Sequence, residues 1–284
     1  MRKNAKLILL TLFFLVLLGG LLIWHVSLVG KRTEVVFLNI GQGDAILISQ
    51  GNYQVLIDGG RTSKELLARL GRHIPFWDRT IDIIIVTHPD ADHIGGLVGV
   101  LRTYQVDQVL TTGAESDTET SRAFQEAMVR YSKRDPARAF RGTKVIFPQG
   151  GELVVEYPFA PLAKETNNLD TNEGSIITRF TYGETSFLLT GDLPREETFL
   201  SDEQPVTVLK VAHHGSKHSS SEQFLRKIHP KEAVISVGKN SYGHPDPGVL
   251  ERLQKMSITI HRTDQKGDVR YQCLATREQC LFSP

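Results

Sequence analysis

The chain has 284 residues, 40% of them hydrophobic and 23% charged, with a net charge of +1 and two cysteines. This composition excludes a disordered tail, a collagen-like rod and a disulfide-dense mini-scaffold, and a single long apolar run excludes a polytopic membrane protein. An overall basic footprint for nucleic acid is also absent. Residues 1–30 carry Arg2, Lys3 and Lys6 and no acid, so the remaining 30 basic and 32 acidic residues leave the rest of the chain at −2.

From Leu7 to Val29 there is no Asp, Glu, Lys or Arg. As a helix this run reaches ~34 Å, enough for a ~30 Å hydrocarbon core. Arg2, Lys3 and Lys6 before it, against Lys31 and Arg32 after it, favour the N-terminus inside and the body outside. Residues 1–30 are therefore expected to be a retained signal-anchor, single-pass in the cytoplasmic membrane, and residues 31–284 one extracytoplasmic α/β domain. A cleaved export signal is the alternative; the run is longer than a usual signal core and no A-x-A-like site follows it.

Short β-rich runs open the body at Glu34–Leu38, Ala45–Ser49 and Gln54–Ile57, separated by glycine turns. A helix is predicted at Ser63–Arg72, then a buried strand at Ile81–Thr87, which is almost continuously apolar and β-branched. Helices follow around Gly95–Tyr104 and at Ser121–Lys133, with Ser121 as N-cap. Asp107–Ser121 reads as a loop. The pattern then recurs in kind: strands at Ser175–Tyr182 and Ser186–Thr190 about a Gly183-Glu184 hairpin, and a helix at Arg195–Leu200. A strand at Val206–Ala212, a helix at Ser221–Ile228, a strand at Ala233–Val237 and a helix at Pro247–Lys255 complete it. No sequence repeat is visible. The order points to two β-layers with helices outside. In the window Arg122–Lys144 basic residues exceed acidic ones by five, either as a solvated helix face or as a surface that tracks phosphates. Cys273 and Cys280 are expected to close a small loop as a disulfide in an exported domain; metal binding or free thiols are the alternatives.

The residues that carry chemistry follow predicted strands. Thr87-His88-Pro89-Asp90-Ala91-Asp92-His93 places four metal-capable groups within six residues. His88 and Asp90 pointing one way, and Asp92 and His93 another, would let one loop serve two adjacent ions. A capping Asp92 alone explains none of the histidines. Leu188-Leu189-Thr190-Gly191-Asp192 again ends a strand in an acid. Lys210-Val211-Ala212-His213-His214-Gly215-Ser216 ends one in a histidine pair, of which one is expected to bind metal directly. His244 lies in the turn Tyr242-Gly243-His244-Pro245. Asp58, in Leu56-Ile57-Asp58-Gly59-Gly60, reads as an orienter of a ligand histidine or its loop rather than as a ligand. Asp44, after Gly41-Gln42-Gly43, either belongs to a glycine turn or lines the site.

Taken together, N-I-G-Q-G-D-A, L-I-D-G-G, H-P-D-A-D-H-I-G-G, L-L-T-G-D, V-A-H-H-G-S and Y-G-H-P resemble the metallo-β-lactamase superfamily. More narrowly, they resemble the extracytoplasmic hydrolase domain of ComEC-type DNA-uptake competence proteins, from about Glu34 to Asp268. The resemblance implies an αββα sandwich with a dinuclear metal site along one edge of its sheets. It implies metal ligation by His88, Asp90, Asp92, His93, Asp192 as the bridging acid, and His214, with His213 facing the substrate and His244 close by. It also implies phosphodiester hydrolysis, with nuclease action on a DNA strand. One departure is that no histidine lies between His93 and His213, where the superfamily has a ligand. Thr171, Asn172 or Ser175 must occupy that neighbourhood, and Asn172 is taken as the weak ligand or water anchor. The oxygen-rich donor set suits Mn²⁺ or Mg²⁺ as well as Zn²⁺. A second departure is that the competence proteins carry a channel domain in the same chain, so a separate DNA channel protein is an expected partner.

The expected chemistry is metal-assisted hydrolysis by two divalent ions, with Asp92 in the reacting site and His213 or His244 hydrogen-bonding the developing charge or protonating the leaving oxygen. Lys210, Ser216 and Lys217 are expected to hold a neighbouring phosphate. The substrate is expected to be single-stranded DNA or another phosphodiester. The alternatives are a hydrolase of envelope phosphodiesters, such as teichoic-acid or phospholipid head groups, and an inactive binding module.

Overall fold

The computed structural model describes residues 2–29, 32–162, 170–200, 204–274 and 279–284; within the first helix, side chains are described for residues 6 and 8–21. That helix, α1, spans Arg2–Val29. Among the described residues no helix is long and apolar enough to cross a membrane, and the expected span Leu7–Val29 extends outside the described side chains.

A three-stranded antiparallel meander opens the body: β1 (Thr33–Phe37), β2 (Ile46–Gln50) and β3 (Tyr53–Ile57). Then come α2 (Ser63–His73), β4 (Thr80–Ile85), α3 (Ala91–Ile94), α4 (Leu97–Thr103), β5 (Gln105–Thr111), α5 (Glu119–Tyr131) and β6 (Ala137–Arg138). The second part has β7 (Lys144–Ile146), β8 (Glu152–Tyr157), β9 (Ile177–Tyr182), β10 (Thr185–Leu189), α6 (Glu196–Phe199), β11 (Val208–Lys210), α7 (Glu222–Ile228), β12 (Glu232–Ile235), α8 (Pro247–Lys255) and β13 (Thr259–Arg262). The chain closes with α9 (Thr263–Lys266), β14 (Val269–Leu274) and β15 (Gln279–Ser283).

The strands form an eight-stranded sheet, β15-β14-β1-β2-β3-β4-β5-β6, and a seven-stranded sheet, β13-β12-β11-β10-β9-β8-β7. Their facing surfaces share one apolar core that includes Phe37, Phe180, Phe187 and Tyr271. Each such fully buried side chain contributes about 1.5–3 kcal/mol. A second core packs α2, α4 and α5 on the first sheet, and a third packs α7 and α8 on the other. Four layers result, helices outside and sheets inside, as the strand and helix pattern predicts. Central strands such as β1 are buried on both faces, which explains their near-continuous apolar runs.

Several boundaries differ from expectation. The helix expected at Gly95–Tyr104 is α4, and a separate short helix, α3, precedes it across Gly95-Gly96 and carries Asp92 and His93. Those glycines press on the loop after β3: a Cβ at Gly96 would stand 2.0 Å from the Gly59 carbonyl oxygen. Helix α5 is capped by Thr118, whose hydroxyl accepts from the Ser121 amide, so Ser121 is not the N-cap. Asp107–Thr111 belongs to β5 rather than to a loop, because β5 pairs in parallel with β4 on one side and with β6 on the other. The strand expected at Val206–Ala212 shortens to β11, since Ala212 already turns towards the histidine pair. Cys273 and Cys280 form a disulfide across the β14–β15 pair.

Candidate metal centre

The loops that follow β3, β4, β10, β11 and β12 meet at one edge of the two sheets, and their histidines converge there. After β3, Asp58 adopts a left-handed backbone (φ 57°) and turns its carboxylate inward. Its Oδ1 accepts from the Thr87 amide at 2.8 Å, and its Oδ2 accepts from the Thr87 hydroxyl at 2.6 Å. The same Oδ2 lies 2.8 Å from His93 Nδ1. Thr87 Oγ1 in turn lies 2.9 Å from His88 Nδ1. His214 has its Nδ1 2.9 Å from the Ser236 carbonyl oxygen.

All three histidines are thus held through Nδ1, and their buried Nε2 atoms have no hydrogen-bond partner. Asp192 Oδ1 is likewise buried and unpartnered, while Asp192 Oδ2 lies 3.3 Å from His93 Nε2 and 3.4 Å from His214 Nε2. His88 with His93 and Asp192, and Asp92 with His93 and His214, each offer donor atoms within 4.8 Å of one another. Fixed imidazoles with one free nitrogen, converging on carboxylates, are the donor chemistry that divalent transition metals take. The residues fit such ions.

The electrostatics agree. His88 is pushed down to about 3 by burial and by the neighbouring His93 charge, which leaves it neutral. Burial also pulls His93 down, but Asp192 and Asp58 outweigh it and hold His93 well above the ordinary range. Burial is outweighed at His214 by Asp192, Asp92 and Asp44, again raising it. Asp192 sits well below the usual carboxylate range, because His214 and His93 more than offset its burial.

The backbone here is shaped for these contacts. His213 (φ 48°), His214 (φ 54°) and Gly215 (φ 81°) are consecutive left-handed residues, which throws the two rings in different directions. Each non-glycine residue in that region costs about 1–3 kcal/mol. Gly43, at φ 126°, lies so near the Asp92 carbonyl oxygen that a Cβ would stand 2.2 Å from it.

The remaining expected residues fall around this cluster. Asp90 is half-buried, oriented by the Thr171 hydroxyl at 2.7 Å, with Oδ2 3.8 Å from His88 Nε2. His213 keeps 31% of its side chain exposed and stands 3.9 Å from Asp192 Oδ2. His244 lies beside it, with ring centroids 5.5 Å apart, and burial followed by the charges of His213 and His214 lowers its pKa. Asn172, in the turn Thr171–Gly174, has a buried Oδ1 without a partner and shares a cavity of about 250 Å³ with His213, Ser216, Arg195 and His218. Lys217 is exposed in an adjoining hollow with Arg195, His218 and Arg252. Asp44 lines the cluster, 3.6 Å from His214 Nδ1, and forms an ion pair at 2.6 Å with Lys210. Lys210 is a correction: it is buried and engaged by Asp44 and by the Gly191 and Val211 carbonyls, so no phosphate reaches it. The expected role in holding a phosphate fails there because the ammonium balances Asp44 inside the fold.

Sequence reasoning missed Thr87 and Ser236. Thr87 directly precedes His88, which is a usable signal; Ser236 contributes only its carbonyl, which no residue type announces. Ser175 anchors both sides of the site, with Oγ accepting from the Asp192 amide at 3.2 Å and lying 3.4 Å from His88 Nδ1.

The family described as Metallo-beta-lactamase superfamily matches residues 38–239 of the chain. The chain is 34% identical over 265 residues to ComE operon protein 3 of Bacillus subtilis, covering 84% of this chain and 33% of that one. It is 26% identical over 262 residues to competence protein ComA of Neisseria gonorrhoeae, covering 90% and 34%. It therefore spans about a third of the length of these curated relatives. Among solved structures, the metallo-beta-lactamase fold protein YhfI of Bacillus subtilis superposes with a TM-score of 0.59 at 13% identity, covering 85% of this chain and 100% of that one.

Proposed function

The chain belongs to the metallo-beta-lactamase superfamily, and from that premise we propose that it is a metal-dependent phosphodiesterase, in the first instance a nuclease acting on single-stranded DNA outside the cytoplasmic membrane. The proposal includes α1 as a single-pass anchor and a separate channel protein as partner. The observation that carries it is the set of three buried imidazoles with free Nε2 atoms converging on Asp192. The competence-type relatives support the substrate class.

In this reading His88, Asp90, Asp92, His93, Asp192 and His214 hold two divalent ions, Zn²⁺ or Mn²⁺. When bound, such ions make water a stronger nucleophile near neutral pH and take up charge on the phosphoryl oxygens. Asp58 and Thr87 keep His93 and His88 in the tautomers that leave Nε2 free. His213, the partly exposed member of its pair, hydrogen-bonds the oxygen that gains charge. His244, beside it, orients His213 or donates a hydrogen bond to the leaving oxygen.

The test uses the full chain, reloaded with Mn²⁺ or Zn²⁺, on end-labelled single-stranded DNA and on bis(p-nitrophenyl) phosphate. Cleavage that EDTA, Asp92→Ala and His214→Ala each abolish is the expected result. Turnover of the small diester without DNA cleavage would move the substrate to the envelope. Fewer than about half an ion per chain under supplementation would leave a binding module. Flotation with lipid vesicles tests the anchor separately.

A further inference from the structure

A cavity beside the ligand loop is not used by the chemistry above. It holds about 400 Å³ and begins at His88 and Pro89 on the ligand loop. Helix α5 roofs it with Phe124, Gln125, Met128 and Val129. These walls are neutral and largely apolar, with Thr112 and Gln125 offering hydrogen bonds at the edge. Arg138 and Glu115 are its charged lining residues. A volume of this order suits one compact organic group rather than a duplex.

Six of the seven basic residues of the Arg122–Lys144 window divide into three kinds. Lys133 is paired with Asp107 at 3.1 Å and Lys144 with Glu152 at 3.2 Å, so their charges are answered. Arg130 lies over the Tyr131 ring and Arg141 over the Phe159 ring. Arg138 instead donates to the Leu162 carbonyl, and Arg122 donates to the Asp117 carbonyl. A carbonyl fixes a guanidinium without neutralising it. Arg138 lines the cavity. Arg122 shares the helical stripe of Gln125 and Val129, three and seven residues on, and Val129 is 77% exposed at the mouth. Two oriented guanidinium groups without an ion pair among the described residues therefore flank a largely apolar hollow beside the metal ligands, with Glu115 as its one lining acid. The cavity at His213 approaches the cluster from another side and shares no lining residue with this one. A diester has two arms, and two separate cavities at one cluster provide for both.

We propose that the hollow under α5 is a nucleotide subsite, holding the base and sugar next to the scissile phosphate of a single-stranded nucleic acid, with Arg122 and Arg138 taking the flanking phosphates. This rests on the phosphodiesterase reading and gives that site its substrate class. Fluorescence anisotropy of end-labelled oligo-dT with the full chain in neutral detergent and EDTA tests it, since nothing is cut there. The Arg122→Ala, Arg138→Ala double variant should lower the slope of log Kd against log salt by about 1.4, the value for two phosphate contacts on a single strand. Val129→Trp should weaken binding about tenfold with the slope unchanged, the size of one lost base contact. Lys133→Ala and Lys144→Ala should change neither quantity. Equal slope changes in both pairs, or none in the arginine pair, would overturn the subsite. So would an absence of oligonucleotide binding by the unaltered chain, or binding of a glycerophosphate polymer in its place. Binding with no hydrolysis of any diester by the metal-loaded chain would keep the subsite and defeat the hydrolase reading.

Discussion

Strands β1 to β6 and strands β8 to β13 run through the same pairings, two antiparallel and then three parallel, but their ends hold acids of opposite character. The acid after β3, Asp58, has both oxygens engaged by Thr87 and His93. The acid after β10, Asp192, leaves Oδ1 without a partner and faces three histidines. Both are buried. In the proposed arrangement, one scaffold used twice thus supplies a supporting carboxylate in its first half and a ligating one in its second. The distinction lies in what faces each oxygen, not in burial or in position on the strand.

Replacing the two acids in turn is the strongest way to break this comparison. Asp192→Ala should remove metal from the isolated protein and lower kcat/KM by at least about a thousandfold, or ~4 kcal/mol. Metal analysis beside diester turnover reads both. Retention of metal with full turnover would show that Asp192 is not the shared acid.

Lys210 extends the contrast, because it is the cation that the second half lends to the first. Lys210→Met leaves Asp44 buried without its partner and should cost about 3–5 kcal/mol in urea unfolding. Adding Asp44→Asn should recover most of that loss. A Lys210→Met protein that keeps its stability but loses affinity for phosphodiesters would restore the phosphate role the buried geometry denies it.

The crossover helices differ as well. Helix α2 is eleven residues long and capped by Thr62 at the surface, while α6 has four residues, and its Glu196 carboxylate is buried on the Ser220 amide. Burial pushes Glu196 up to about 7. An acid with a raised folded pKa stabilises most when protonated, below its unfolded value near 4.5. That contribution fades as pH rises through about 7. The chain should therefore lose about 3 kcal/mol between pH 4.5 and pH 8 relative to Glu196→Gln, followed by urea melts of both proteins. Parallel pH profiles would show the carboxyl to be ionised throughout.

The sequence made the ligand loops legible because chemistry there demands particular side chains. Four metal-capable residues in six at His88–His93, and a histidine pair after an apolar strand, have few structural explanations. The layers were legible for a similar reason, since strands buried on both faces must read as apolar runs. The chain beyond Lys255 was not. In β14, buried and half-exposed residues alternate with Arg270, Gln272 and a cysteine among them, so no apolar run marks the strand. Strand β6 has two exposed residues and exists only through its pairing with β5. The doubling of topology was invisible too, because it resides in pairing direction rather than in residue identity. Lys210 misled because position after a strand says nothing of which way a long side chain turns.

Asp58 gives the finest test of the comparison, because its effect should be real but recoverable. It touches no metal in the proposed arrangement and acts by fixing His93 Nδ1 and, through Thr87, His88. Its loss should leave the ligands in place but free to rotate and to change tautomer. Outer partners of ligating histidines are worth about 10–100-fold in metal affinity or activity. Asp58→Ala should therefore weaken metal affinity by that factor, with turnover largely recovered when metal is in excess. Asp58→Asn should lie between, because an amide oxygen still accepts from one donor but carries no charge to hold the imidazole. Asp192→Ala should show no such recovery at any metal concentration. If Asp58→Ala proved equally beyond rescue, the two acids would be ligands alike, and the difference between the halves would be one of geometry without a difference of role.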